Sequence, residues 1–125
     1  MSLVKLFNNH WLDFLGDLLK VYPNDYDIKT GLTWSKNIIT LTPLIVIKTW
    51  NYYVVSKYKK QIENGDITFF EHNNYNDDIN DINNQTIQLI EKFRKVLTDA
   101  TNDTKLKSMK YVQNLTKIAN LYYKK

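Results

Sequence analysis

The side chains best suited to proton transfer or metal binding are few and far apart in this sequence. His10 and His72 are the only histidines, and they lack the spacing that would turn two imidazole rings toward one ion. Cysteine is absent, which excludes thiol nucleophiles, disulfide bonds and cysteine-ligated zinc. We expect His10 on a helix surface or half-buried beside Trp11, and His72 in a solvated acidic loop.

Carboxylates occur in two groups whose spacing resembles known chemistry. Asp13 and Asp17 lie four residues apart on one helical face, but no partner histidine or second acidic helix completes an acid-base pair. Oxygen-bearing side chains alternate within residues 73–84, as they do in a calcium loop. Counting from Asn76, however, the position that needs glycine is Asp81 and the position that needs glutamate is Ile87. We interpret both groups as solvated surface.

Glycine is too scarce for the common nucleotide-binding loops. The three glycines, Gly16, Gly31 and Gly65, are scattered, so a phosphate-binding loop and a dinucleotide-binding fingerprint are both excluded. No serine lies in a nucleophile elbow. The sequence therefore predicts no catalytic residue, no metal ligand and no cofactor, and we expect a protein without enzymatic activity.

Charge is distributed unevenly along the chain, although the net charge is only +4. Residues 1–47 carry four lysines and four aspartates, residues 48–60 carry four lysines and no acid, and residues 61–84 carry six acids and no base. Lysines on the last predicted helix align opposite its apolar face, as in a stripe that contacts phosphates. The candidate nucleic-acid contacts are Lys107, Lys110, Lys117, Lys124, Lys57, Lys59, Lys60 and Arg94.

Aromatic side chains are abundant, and most fall on the faces that the helical pattern assigns to the core. Tyrosines outside those faces are natural interface anchors, because they combine a large apolar area with a polar hydroxyl. The candidate protein-interface residues are Tyr52, Tyr53, Tyr75 and Tyr123.

Five helices must position these residues. The apolar periodicity predicts helices from Leu3 to Tyr22, after the turn Pro23-Asn24-Asp25 that offers capping oxygens, from Thr42-Pro43 to Ile62, around Ile87 to Leu97, and from Thr101-Asn102 to Tyr122. Thr42 is expected to cap the third helix, which should be the most enclosed, and Gly65 to end it. Gly16 is expected to let a neighbouring helix approach closely.

These elements predict a single all-α domain over residues 1–125, a compact bundle of about five helices. Residues 73–84 are expected to form an acidic polar loop between the third and fourth long helices. The apolar stretch from Ile38 to Val55 is interrupted by threonine, proline, lysine and asparagine, so we expect a buried helix and no membrane association. No secretory signal pattern follows Met1, which favours an intracellular protein.

Three strings of residues carry a family resemblance. They are Asp13–Leu18 continuing through Val21–Asn24, Lys57–Asp66 with Phe69-Phe70, and Lys110–Leu115. Together they resemble a group of small, uncharacterised proteins encoded by giant DNA viruses of protists and algae. The resemblance implies a viral protein that acts in the cytoplasm or virus factory of an infected cell, or in the virion. It carries over no catalytic or ligand-binding residue.

The sequence leads to two hypotheses for function. The first is a non-enzymatic protein-interaction module, an adaptor or a virion or virus-factory component, whose partner is a viral or host protein or a second copy of the chain. The second is a nucleic-acid-binding accessory protein that uses the lysine stripe of the last helix.

Overall fold

The computed structural model describes residues 2–71 and 84–124, and within these ranges the chain forms helices and no strand. A 3₁₀ helix, Ile67–Glu71, lies between the third and fourth of five long helices. The predicted all-α bundle is therefore confirmed. The loop predicted over residues 73–84 lies outside the described residues except for Asn84. The long helices are α1 (Leu3–Val21), α2 (Tyr26–Leu41), α3 (Ile45–Glu63), α4 (Gln85–Thr98) and α5 (Asn102–Tyr123).

Side-chain caps fix the first turn of four helices. In each case a hydroxyl or carboxamide or carboxylate oxygen accepts a hydrogen bond from a backbone N–H that has no partner inside the helix. Of the turn Pro23-Asn24-Asp25, which was predicted to supply the cap of α2, Asp25 supplies it, and the cap predicted at Thr101-Asn102 is supplied by Thr101. The capping residues are Ser2 for α1, Asp25 for α2, Asn84 for α4 and Thr101 for α5.

The start of α3 differs from the prediction. Thr42 does not cap the helix with its side chain; instead its carbonyl accepts from the Ile45 N–H at 3.1 Å, and the helix begins at Ile45. The Asn8 side chain of α1 donates to the Pro43 carbonyl at 2.9 Å, so this turn is held by tertiary contact. The end of α3 is as predicted, because Gly65 follows it with a φ of 68°.

The middle of α3, Trp50–Val55, is a π-helix. Its wider turn buries Trp50, Tyr53, Val54 and Val55 together, three of them consecutive in sequence. The π-helical segment therefore encloses the middle of α3. The prediction that α3 is the most enclosed helix is wrong, because its last two turns bury only Ile62, and α4 buries seven of its 14 residues against eight of 19 in α3.

An aromatic cluster at the centre joins α1, α3 and α4. The rings of Trp11, Trp50 and Phe93 are fully buried, with centroids 6.0 to 6.4 Å apart. Each indole N–H is satisfied by a hydroxyl: Trp11 donates to Ser35 and Trp50 donates to Thr116, both at 3.0 Å. These two bonds tie α2 and α5 to the same cluster, so all five helices converge on it.

Close helix approach occurs at Gly31 and not at Gly16. A Cβ atom at Gly16 would have no atom within 4 Å, so the prediction for this residue is wrong. A Cβ atom at Gly31 would lie 2.3 Å from Cδ1 of Leu89. Because Leu89 is itself buried, Gly31 is the residue that lets α2 and α4 pack closely.

The two glycines give a matched pair of predictions. Gly16→Ala should raise the free energy of unfolding by about 0.5–1 kcal/mol, because alanine favours the helix and meets no neighbour. The free energy of unfolding of Gly31→Ala should be about 1–3 kcal/mol lower than that of Gly16→Ala, because the added methyl group overpacks against Leu89. Urea denaturation followed by circular dichroism measures both. Equal stabilisation by the two substitutions would contradict the close packing at Gly31.

Candidate functional site

The outward side of α5 carries a strip that we call the outer face, made of Leu106, Lys110, Lys117 and Leu121. By the 100° step of an α-helix, these four residues fall within an arc of about 60°. The buried residues of α5, such as Val112 and Ala119, lie on the opposite side. All four residues of the outer face are exposed, and Leu106 and Leu121 retain 53% and 51% of their accessible surface.

The lysine stripe predicted on this helix is exposed along its whole length. Lys107 lies at its edge and pairs with Asp103 at 3.3 Å. Among the residues that the structure describes, Lys110 and Lys117 make no ion pair. Lys124 follows the last residue of α5. The stripe therefore contains two unpaired ammonium groups between two half-exposed leucines.

The second predicted basic group belongs to the last part of α3. Lys57, Lys59 and Lys60 are all exposed. The Lys57 ammonium lies 4.5 Å from the ring centroid of Tyr53, a distance typical of a cation–π contact. The Gln113 side chain of α5 donates to the carbonyl of Ile62, two residues after Lys60, at 3.0 Å.

Arg94 does not belong to a binding surface, which corrects its assignment as a nucleic-acid contact. Only 2% of its surface is exposed. Its Nε and Nη2 atoms donate to the Phe69 carbonyl at 3.0 and 2.7 Å, and Nη1 donates to Glu91 at 3.0 Å. Its guanidinium carbon lies 4.2 Å from the Phe69 ring centroid and 4.7 Å from that of Tyr58. A guanidinium with these partners cannot reach a phosphate.

The candidate interface tyrosines differ in their exposure. Tyr53 is buried, and its hydroxyl donates to Glu91 at 2.8 Å, so its assignment to an interface is wrong. Tyr52 and Tyr123 are 60% and 40% exposed, on α3 and at the end of α5. Tyr75 lies outside the described residues, as does His72. Tyr52 and Tyr123 therefore remain exposed candidates for an interface, and Tyr53 does not.

A tyrosine–carboxylate contact joins α1 to α5. The Tyr111 hydroxyl donates to Asp17, one member of the carboxylate pair considered in the sequence. This hydrogen bond raises the pKa of Tyr111 to about 12, with smaller contributions from burial and from the negative charges of Asp17 and Asp13. The Phe14 ring stacks on Tyr111, and the His10 ring meets it edge-on at 6.4 Å. The contact is a helix-to-helix link in which the phenol stays protonated.

A polar groove between α2 and α4, with a volume of about 220 Å³, was not predicted. Its two charged groups already satisfy each other, because the Lys92 ammonium lies 3.7 Å from the Asp27 carboxylate. Sequence reasoning missed the groove because its walls come from distant segments; Gly31 was its only local signal. Its lining residues are Asp27, Thr30, Gly31, Trp34, Gln85, Gln88, Leu89 and Lys92.

The described part of the chain lacks both a metal-binding cluster and a single membrane-spanning helix. In residues 2–71 and 84–124, no group of three or more histidine or acidic side chains is close enough to hold a metal ion. No single helix in these ranges is long and apolar enough to cross a membrane. Only α2 and α3 taken together reach that length and composition, and the chain bends by 109° between them.

Comparison with known proteins found no matching family model, no matching curated protein and no matching solved structure. The outer face of α5 is therefore assessed from its own geometry and charge.

The buried position of Arg94 predicts a large effect on stability. Arg94→Met should lower the free energy of unfolding by about 3–5 kcal/mol, because it leaves the Glu91 carboxylate without its cation and removes the donors to the Phe69 carbonyl. Adding Glu91→Gln should recover part of this loss. Urea denaturation measures the change, with Lys95→Met on the exposed side of α4 as the control. A loss for Arg94→Met as small as that of the control would contradict the buried network.

Titration of Tyr111 gives a second prediction. The absorbance change of the wild type minus that of Tyr111→Phe should show one phenol that ionises near pH 12, and Asp17→Asn should move this pKa toward 10. Since the raised pKa favours the protonated phenol in the folded state, its stabilising contribution is complete below pH 10 and is lost as the pH rises from 10 to 12. A pKa unchanged by Asp17→Asn would contradict the assigned hydrogen bond.

Proposed function

We propose that this chain is a non-enzymatic protein-interaction module that binds its partner through the outer face of α5. The observation that carries the proposal is the pair of half-exposed leucines, Leu106 and Leu121, at the two ends of one narrow strip. A single exposed leucine is ordinary on a protein surface. Two on the same arc, with Lys110 and Lys117 between them, mark a strip about 22 Å long in which apolar ends flank two charged groups.

The same leucines favour a protein partner over a nucleic acid. A surface that follows phosphates needs positive charge and gains from arginine, which can donate two parallel hydrogen bonds. Arg94 is buried, and leucine side chains make no favourable contact with a phosphate backbone. A protein interface gains from burying the leucines, about 1 kcal/mol or more for each half-exposed side chain.

Nucleic-acid binding is the second candidate, supported by the common exposed side of Lys107, Lys110, Lys117 and Lys124. Affinity for short duplex and single-stranded oligonucleotides, measured at two salt concentrations, tests it. Binding that weakens steeply with salt and is abolished by Lys110→Glu with Lys117→Glu would favour this candidate. The leucines should have no effect on such binding.

The resemblance to proteins of giant DNA viruses suggests where the module would act. On that basis we place the module in the cytoplasm or virus factory of an infected cell, or in the virion, as an adaptor or a structural component. Its partner would then be a viral or host protein.

Affinity capture from the native host system with mass spectrometry tests the leading proposal. A partner retained by the wild type should be reduced about tenfold or more by Leu106→Ser with Leu121→Ser, since both changes remove apolar contact area. The matched control is Leu41→Ser, which alters a 79% exposed leucine at the end of α2. Thermal unfolding checks that each variant is folded. Equal loss in the control, or retention in the double variant, would contradict binding through the outer face.

A further inference from the structure

We infer that the partner segment is an acidic amphipathic helix that lies along α5, with carboxylates seven residues apart facing Lys110 and Lys117. The inference rests on the proposed function and adds the chemistry and geometry of the partner. It follows from three properties of the outer face: the spacing of its lysines, the absence of charge compensation, and the order of its four residues.

The spacing of the two lysines selects a helix as the partner. Lys110 and Lys117 are seven residues apart, which is about 10.5 Å along the axis of α5. When two helices pack at a small crossing angle, positions that repeat every seven residues keep facing each other. A partner helix can therefore present one carboxylate to each lysine if its acidic residues have the same spacing. Leu106 and Leu121 then define a contact of about 22 Å, or four turns.

The charge of the face selects an acidic partner. Asp103 is the only acidic residue of α5, and it already pairs with Lys107. Neither Lys110 nor Lys117 has an ion-pair partner among the described residues. Charged pairs at the rim of an interface add little affinity, but they determine which partner binds and in which register. The leucines therefore provide the apolar contact area, and the lysines determine which partner binds and in which register.

The order of the residues disfavours a second copy of this chain. The outer face reads Leu-Lys-Lys-Leu with intervals of four, seven and four residues, which is the same in both directions. An antiparallel copy of α5 would place Lys110 opposite Lys117, and a parallel copy would place each lysine opposite itself, so both bring like charges together at the centre of the face. Asp103 lies on the same arc and would face Lys124 in the antiparallel copy, but its carboxylate already pairs with Lys107 at 3.3 Å. A dimer through this face therefore has like-charge contacts at its centre that a partner helix with two carboxylates does not have.

A charge exchange with designed peptides tests the inference. Two helical peptides are made with the same apolar residues and with either two glutamates or two lysines at positions seven residues apart. Fluorescence anisotropy measures their binding to the full chain. The wild type should bind the glutamate peptide about tenfold more tightly than the lysine peptide, and Lys110→Glu with Lys117→Glu should reverse this preference.

The matched control for this experiment is Lys29→Glu with Lys36→Glu. These two exposed lysines are also seven residues apart, but they lie on α2. The control should keep the wild-type preference, because only the outer face of α5 contacts the peptide. Equal binding of the two peptides by the wild type, or no reversal in the α5 variant, would overturn the acidic-helix inference. The proposed function is tested separately by the capture experiment. If Leu106→Ser with Leu121→Ser loses the lysate partner while the peptides show either of those results, the interaction module stands and the acidic-helix inference does not.

Discussion

A guanidinium group that is 2% exposed must find its hydrogen-bond acceptors and its counter-charge inside the protein, and Arg94 imposes this requirement on three parts of the fold. The Phe69 carbonyl accepts two of its hydrogen bonds, which fixes the 3₁₀ helix against α4. Glu91 accepts a third and also accepts from Tyr53, which connects the network to α3. The 3₁₀ helix, α3 and α4 are therefore constrained by one buried charge.

The π-helical segment of α3 is the backbone's response to these constraints. Trp50 must reach the aromatic cluster, Tyr58 must reach Arg94, and Ile62 must be buried. Trp50, Val54, Tyr58 and Ile62 follow one another at intervals of four residues. In an α-helix, each interval of four turns the next side chain about 40° further around the helix axis. One wider π turn absorbs much of this rotation.

The features that the sequence predicted correctly depend on local interactions. Helix caps, the glycine that ends α3 and the periodicity of the apolar residues act within a few positions, so the five helices and the lysine side of α5 could be placed in advance. Arg94, Tyr53 and Gly16 were misjudged because their environments are set by distant segments. The helical periodicity places Arg94 beside Phe93 and Leu97 on an apolar stripe. This position in the sequence indicates that the arginine is buried.

The outer face of α5 is free to serve a partner because the rest of the helix already holds it in place. Thr116 accepts from the Trp50 indole, Tyr111 donates to Asp17, and Gln113 donates to the Ile62 carbonyl, so α5 is tied to α1 and α3 by its inner and lateral residues. Leu106 and Leu121 contribute little to these contacts, since half of each side chain remains exposed. A helix held in this way is already ordered before a partner arrives, so binding does not have to supply the free energy for folding it. Under the proposed function, little of the contact energy of the apolar strip would be lost to conformational ordering, so a modest strip would be sufficient for recognition.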